Sequence, residues 1–404
     1  MKWWPTKEEP HPKTALVLPG GGARAAYQVG VLRAIARLLP KRSPTPFPII
    51  TGTSAGSINA TALAIHALDF RKGVIRISRV WENFHVNQVF RADSLGLARN
   101  SLHWLATLTL GGLGKYNPSA LLDRAPLEPL LQRSLPCHLI QEAIDSGALH
   151  ALGITANGYT SGHSVTFFQG ADSLQTWDRE RRIGIPAAIT IDHLLASSAI
   201  PFIFSAIRLE QEYFGDGSMR QIAPLSPAVH LGANKILVVG IRKKQNGDDH
   251  KGRELCYPSL AEVAGNVLNS IFLDSLDTDL ERLARINKTI SLIPDRRLEQ
   301  GGITLRPIEV LNISPSVSID EIAEHHAKLL PRPLQFLMRG LGAYGGHGAS
   351  LLSYLLFERE FCRDLIALGF HDAMAVQEDI KAFLSIEENP SGQACKPEAD
   401  KSIQ

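Results

Sequence analysis

The chain has 404 residues, 44% hydrophobic and 20% charged, enough for one large globular domain or two ordinary ones with a sizeable core. A net charge of +2 gives no basic field of the kind nucleic-acid binding needs, and the four cysteines (Cys137, Cys256, Cys362, Cys395) form no C-x-x-C pair, which leaves no zinc or disulfide framework and fits a reducing, cytoplasmic compartment. No run reaches the ~18 apolar residues of a membrane span and residues 1–13 hold no apolar signal core, so neither a signal peptide nor a transmembrane segment is expected.

Residues 1–12 read as a flexible arm, with Trp3 and Trp4 set against the protein's own surface. An apolar strand follows at 14–18 and runs into Gly20-Gly21-Gly22-Ala23-Arg24-Ala25. Helical periodicity over 25–39 is apolar around much of its circumference (Val29, Leu32, Ala36 and Val31, Ile35, Leu38), as in a helix laid on a sheet. A second apolar strand starting at Ile49 ends in Gly52-Thr53-Ser54-Ala55-Gly56, and a helix follows. This β-α-β-α order is the unit of a parallel sheet covered by helices. Residues 71–147 read as a helical insertion suited to a pocket wall or cap. Strands return at 151–157 and 164–169. A short helix at 191–198 precedes Glu212-Tyr213-Phe214-Gly215-Asp216-Gly217-Ser218, a strand ending in a glycine-flanked aspartate. A helix at 224–231 and a buried strand at 235–240 close this part. Beyond the polar stretch 242–253, a long helix at 258–286, a strand at 310–313 and helices over 318–386 are expected. The apolar run 351–357 reads as a core helix and the polar tail 387–404 as disordered.

The chemistry gathers at three places. Ser54 sits at G-x-S-x-G spacing on a strand-to-helix turn, a geometry that projects a hydroxyl outward and tolerates only small residues two positions either side, here Gly52 and Gly56. Gly20, Gly21 and Gly22 let bare amides converge on an oxygen at a helix N-terminus. Asp216 stands in a tight turn made possible by Gly215 and Gly217. Three readings compete for these residues. Gly20, Gly22 and Ala25 satisfy the G-x-G-x-x-A of a dinucleotide site, but no acidic residue occurs between Glu9 and Asp69 to hold a ribose, leaving only Lys41 or Arg42 for an NADP-like phosphate. A Ser-Asp-His order would use His230 as base. A Ser-Asp pair would use Asp216 alone. The adjacent His325 and His326 face different sides of a helix and suggest no metal site.

The order and spacing of Gly-Gly-Gly-x-Arg, Gly-Thr-Ser-Ala-Gly and Asp-Gly, with Ala196-Ser197-Ser198-Ala199-Ile200-Pro201 and Phe204, resemble the patatin-like phospholipases over about residues 14–240. Ala25 and Ser218 depart from the family's pattern by one small side chain each. The resemblance implies a three-layer α/β/α fold with a mainly parallel central sheet. It makes residues 13–241 the acyl hydrolase domain and 258–386 a mostly helical C-terminal extension. It implies a serine acyl-ester hydrolase acting on lipids, with Ser54 as nucleophile and Asp216 as base. The oxyanion element would be Gly20, Gly21, Gly22 and Arg24 with Ala55, supported by Gly52, Gly56 and Gly217. No metal or cofactor is expected, and the partners would be a lipid or acyl-ester substrate and, transiently, a membrane surface. A non-catalytic lipid-binding protein on the same fold is the alternative of another class. A lone aspartate makes a chemical demand. Near its ordinary pKa of ~3.9 it is a weak base, so Asp216 is expected to be enclosed beside Phe202, Phe204 or Phe214, where desolvation raises that value.

Overall fold

The computed structural model describes residues 13–91, 120–243, 257, 259–294, 305–344 and 348–386. The expected arm at 1–12, much of the insertion (92–119), most of the polar boundary (244–256) and the tail 387–404 lie outside the described residues.

Strand β1 (Thr14–Leu18) leads through α1 (Ala26–Leu38) to β2 (Ile49–Thr53), and the two strands pair in parallel. Helices α2 (Ala55–Ala64), α3 (Phe70–Trp81), α4 (Val86–Val89), α5 (Leu127–Ser134) and α6 (Leu139–Asp145) precede β3 (Ala151–Gly158), which lies parallel to β2. β4 (Ser164–Gly170) turns back on β3, and the short strands β5 (Trp177–Arg179) and β6 (Arg182–Pro186) finish that edge. Next come α7 (Ile191–Ser197), β7 (Ile207–Leu209), β8 (Glu212–Asp216), α8 (Ser226–His230) and β9 (Lys235–Val239). Further on, α9 (Leu260–Asn269) runs through a π-helical stretch, Ser270–Asp274, into α10 (Ser275–Ile290). β10 (Glu309–Ile313) is followed by α11 (Ile319–His326), α12 (Arg332–Gly340), α13 (Ala349–Leu355), α14 (Arg359–Ala375) and α15 (Gln377–Leu384).

The ten strands form one sheet in the order β10-β9-β1-β2-β3-β4-β6-β5, with β8 joined to β3 and β7 to β8. Its centre, from β10 to β3, is parallel. Along β1 the side chains alternate between two buried cores, Leu16 and Leu18 on one face, Ala15 and Val17 on the other. The first core is shared with α1, α2 and α14, the second with α8 and the start of α10, so helices cover both faces in an α/β/α sandwich. The C-terminal segment is built into these layers. β10 extends the parallel sheet beyond β9. α14 lies on α1 with backbones in contact: a Cβ on Gly30 would meet the Ile366 carbonyl oxygen at 2.1 Å, and one on Gly369 would meet that of Tyr27 at 2.2 Å.

One register detail positions the site. β2 ends at Thr53, opposite Thr155 of β3. β3 continues past that point, and β8 pairs with its extra length, setting Asp216 opposite Ala156, the next residue along. The C-terminal ends of β2 and antiparallel β8 therefore abut beside the same strand, about one residue step of ~3.3 Å apart.

Candidate active site

Ser54 leaves β2 with φ 53° and ψ −129°, a backbone conformation that a non-glycine residue holds only under constraint. The constraint is visible. The Ser54 amide donates to the Ser197 hydroxyl at 2.9 Å, which donates to the Thr155 carbonyl at 2.6 Å. The Ser57 hydroxyl donates to the Ser54 carbonyl at 2.6 Å. Gly52 and Gly56 have a steric role: a Cβ on Gly52 would lie 2.5 Å from the Gly56 oxygen, and one on Gly56 would lie 2.1 Å from the Leu18 oxygen. The glycine-rich turn runs over this elbow. A Cβ on Gly20 would come within 2.8 Å of the Ser54 Cβ and 2.5 Å of the Ser218 Oγ. Gly22 holds φ +55° with its α-carbon against the Tyr354 carbonyl.

Asp216 is fully buried. Its Oδ1 accepts the Ser218 amide at 2.9 Å, which forms the turn that Gly217 permits. A Cβ on Gly217 would strike the Thr155 carbonyl at 2.0 Å. Burial pushes the carboxyl pKa up to about 6. The Ser54 and Ser218 hydroxyls, the Ser218 amide and the Arg124 charge oppose that shift without cancelling it. The Ser54 hydroxyl is thus near enough to act on the carboxylate, yet Asp216 Oδ2 makes no hydrogen bond of standard geometry. We take the looser contact as the resting arrangement, because such bonds often tighten only when substrate is bound. Of the three phenylalanines expected to enclose Asp216, Phe204 and Phe214 are buried; Phe202 is not part of the enclosure, since it is 78% exposed with φ +63°.

The guanidinium of Arg24 turns away from the elbow into the C-terminal segment. It donates to the Ser353 hydroxyl at 2.7 Å, pairs with Asp320, reaches the Ser350 hydroxyl at 3.1 Å and lies 4.2 Å over the Tyr354 ring. Ala55 opens α2 directly after Ser54. His230 stacks on Trp177, with ring centroids 4.9 Å apart, among Arg179, Arg182 and Arg306; burial and these cations pull its pKa down to about 4. No histidine of the described residues is among the groups acting on Asp216. His230→Ala is accordingly expected to leave esterase turnover within about threefold of wild type, whereas loss of a triad base costs roughly 10⁴-fold or more. A kcat measurement on a soluble ester separates the two. Lys41 and Arg42 lie beyond the far end of α1, about 20 Å of helix from the glycine turn, out of reach of a phosphate bound there. No cluster of three or more metal-ligating side chains occurs among the described residues.

Two participants are not legible as such in the sequence. Ser197 carries the elbow through its paired hydrogen bonds. Arg124, buried and held by the Leu195 and Ser205 carbonyls at 2.6 and 2.8 Å, places a positive charge near Asp216. Ser197 lies in the quoted 196–201 segment, but nothing local marks Arg124.

From Ser54 an apolar cavity opens between α2, α3, α5 and the segment after α7. It has an empty volume of about 910 Å³, its mouth included, and Ile58, Trp81, Leu131, Ile200, Phe204 and Phe357 are among its walls.

A mainly parallel sheet, a strained serine between strand and helix, a glycine turn laid over it and an apolar cavity in front are the layout of a lipid acyl hydrolase. The family model described as "Patatin-like phospholipase" matches residues 16–229, just over half of the chain, and the chain belongs to that family. No curated protein matches it in sequence. Among solved structures it is similar to VipD from Legionella pneumophila (12% identity, TM-score 0.37, covering 92% of this chain and 67% of that one). It is also similar to the human GIVD cytosolic phospholipase A2 solved with methyl gamma-linolenyl fluorophosphonate (12% identity, TM-score 0.38, covering 93% and 59%). The chain spans about two thirds and three fifths of these two proteins.

Proposed function

We propose that the protein is a serine acyl-ester hydrolase of the phospholipase A or lipid acyl hydrolase type, working through Ser54 and Asp216. The observation that carries this reading is a buried carboxylate with a raised pKa and an Oδ2 without a hydrogen bond of standard geometry, abutting a strained serine beside the same strand of the sheet. Asp216 takes the proton of the Ser54 hydroxyl as Oγ attacks the ester carbonyl, forming the C–O bond and placing the carbonyl electron pair on oxygen. Amides of Gly21, Gly22 and Ala55 receive that oxyanion. One such donor is worth about 10²–10³ in rate and a positioned base about 10²–10⁴. The proton on Asp216 goes to the departing alcohol. Water, deprotonated in turn by Asp216, then attacks the acyl carbonyl; the bond to Ser54 Oγ breaks, Oγ recovers the proton from Asp216, and the fatty acid leaves. The apolar cavity takes the acyl chain. We further propose residues 13–241 as the hydrolase domain and 258–386 as the extension that backs its glycine turn.

The test is covalent. An alkyl fluorophosphonate is expected to label wild type at Ser54 with loss of p-nitrophenyl ester hydrolysis, and Ser54→Ala is expected neither to label nor to turn over. Binding of a fluorescent fatty acid with no Ser54-dependent labelling or hydrolysis would make this a lipid-binding protein and sink the enzyme reading.

A further inference from the structure

The outward face of α3 adjoins the cavity and serves nothing derived so far. Lys72, Ile75, Arg76 and Arg79 recur every three or four residues, and all four are exposed. The opposite face, with Val74, Ile77 and Trp81, is buried, and Ile77, Val80 and Trp81 line the cavity. Arg76 stands at the border: it lines the cavity too, and its charge, after burial, is the next cause lowering the pKa of His66 in the same wall.

Lys72, Arg76 and Arg79 make no ion pair with any described residue. The nearby acids are otherwise engaged. Asp69 caps α3 by accepting the Lys72 amide at 3.0 Å, and Glu82 pairs with Arg33 at 2.6 Å. Ile75 lies among these cations at 46% exposure, and Leu68, two residues before the helix begins, is 59% exposed. Cations without an acidic partner around an exposed isoleucine on one helix face, with an exposed leucine just before the helix, suit an interfacial contact in which the cations meet anionic headgroups and the aliphatics enter the headgroup boundary. The position adds to the argument: Arg76 is both exposed and part of the cavity wall, so this face reaches the cavity's edge.

We propose that Lys72, Arg76 and Arg79, with Leu68 and Ile75, form the surface by which the protein sits on an anionic bilayer and presents its cavity mouth to it. This rests on the lipid hydrolase reading for its purpose, but not for its measurement.

The full chain is sedimented with vesicles of phosphatidylcholine alone and of phosphatidylcholine mixed with phosphatidylglycerol. Wild type is expected to prefer the anionic vesicles at least tenfold at low ionic strength, with the preference collapsing as salt rises. Lys72→Gln/Arg79→Gln is expected to lose about 30-fold in that binding, and Lys72→Glu/Arg79→Glu more. Neither residue lines the cavity, so hydrolysis of a soluble short-chain ester should be unchanged in both variants, which also reports their folding. Equal binding of wild type and variants overturns the proposal, as does equal binding to the two vesicle types. Binding of polyglutamate without binding of vesicles gives the face to an acidic protein and overturns it as well. Salt-sensitive vesicle binding lost in the variants, in a protein with no Ser54-dependent hydrolysis, upholds the surface while the enzyme reading fails.

Discussion

Asp216→Asn is expected to abolish turnover and, at neutral pH, to make the protein more stable. The two effects share one cause. In the unfolded chain the carboxyl titrates near 3.8; folding buries it completely and moves its pKa to about 6. The folded state therefore holds a proton that the unfolded state releases between these values. This group's contribution to stability is at its fullest below about pH 3.8 and is lost as pH rises through about 6. Above that, the charged carboxylate costs roughly 3 kcal/mol relative to an unshifted group. Asparagine keeps an oxygen to accept the Ser218 amide and carries no charge to desolvate. At pH 8 its melting temperature should exceed that of wild type by a few degrees, with the difference vanishing near pH 4. Activity runs the other way. Without a base, kcat/KM should fall about 10²–10⁴-fold, and in wild type it should decline tenfold per pH unit below about 6. A difference in melting temperature that does not change with pH would mean that Asp216 is not the desolvated base.

The pair proposed for this chemistry is only half legible in the chain. Ser54 announces itself because its turn is local: glycines two residues either side, a strand before and a helix after. Asp216 sits in an Asp-Gly pair of the commonest turn type, and its significance lies in a pairing 60 residues away in sequence, Asp216 opposite Ala156. No periodicity encodes where β2 stops relative to β3. Buried strands β1, β2, β3 and β9 read directly as apolar runs, whereas β5, β6 and β7, half-exposed and three to five residues long, carry too few residues for a pattern. The helix expected over 258–286 is continuous in direction but contains the π-helical stretch at Ser270–Asp274, and Phe272 there packs at the glycine turn. Sequence periodicity does not distinguish that widened turn from α-helix. Arg24 was legible as part of the turn, but its partners come from 296 to 329 residues away.

Those partners make Arg24 the second position of large effect. Arg24→Ala removes a cation that is 3% exposed, with its bonds to Ser353 and Ser350, its pairing with Asp320 and its cover on Tyr354. The same Tyr354 supplies the carbonyl against which Gly22 holds its left-handed conformation. Loosening this contact frees the amides proposed to meet the oxyanion, while the cavity and Asp216 stay as they are. Loss of the buried charge-assisted bonds should cost roughly 2–4 kcal/mol of stability, at the lower end because Asp320, one third exposed, can turn to water. The larger effect should fall on the chemical step: kcat and the rate of fluorophosphonate labelling at Ser54 lower by about 10²–10³, the toll of a lost oxyanion donor, with KM for a soluble ester nearly unchanged. Asp320→Asn, which keeps the hydrogen-bonding shape and removes only the charge, should lose less than tenfold. A rise in KM with unchanged kcat would place Arg24 in substrate binding instead, and an equal fall in both variants would show that charge rather than the geometry of the turn is what the C-terminal segment supplies.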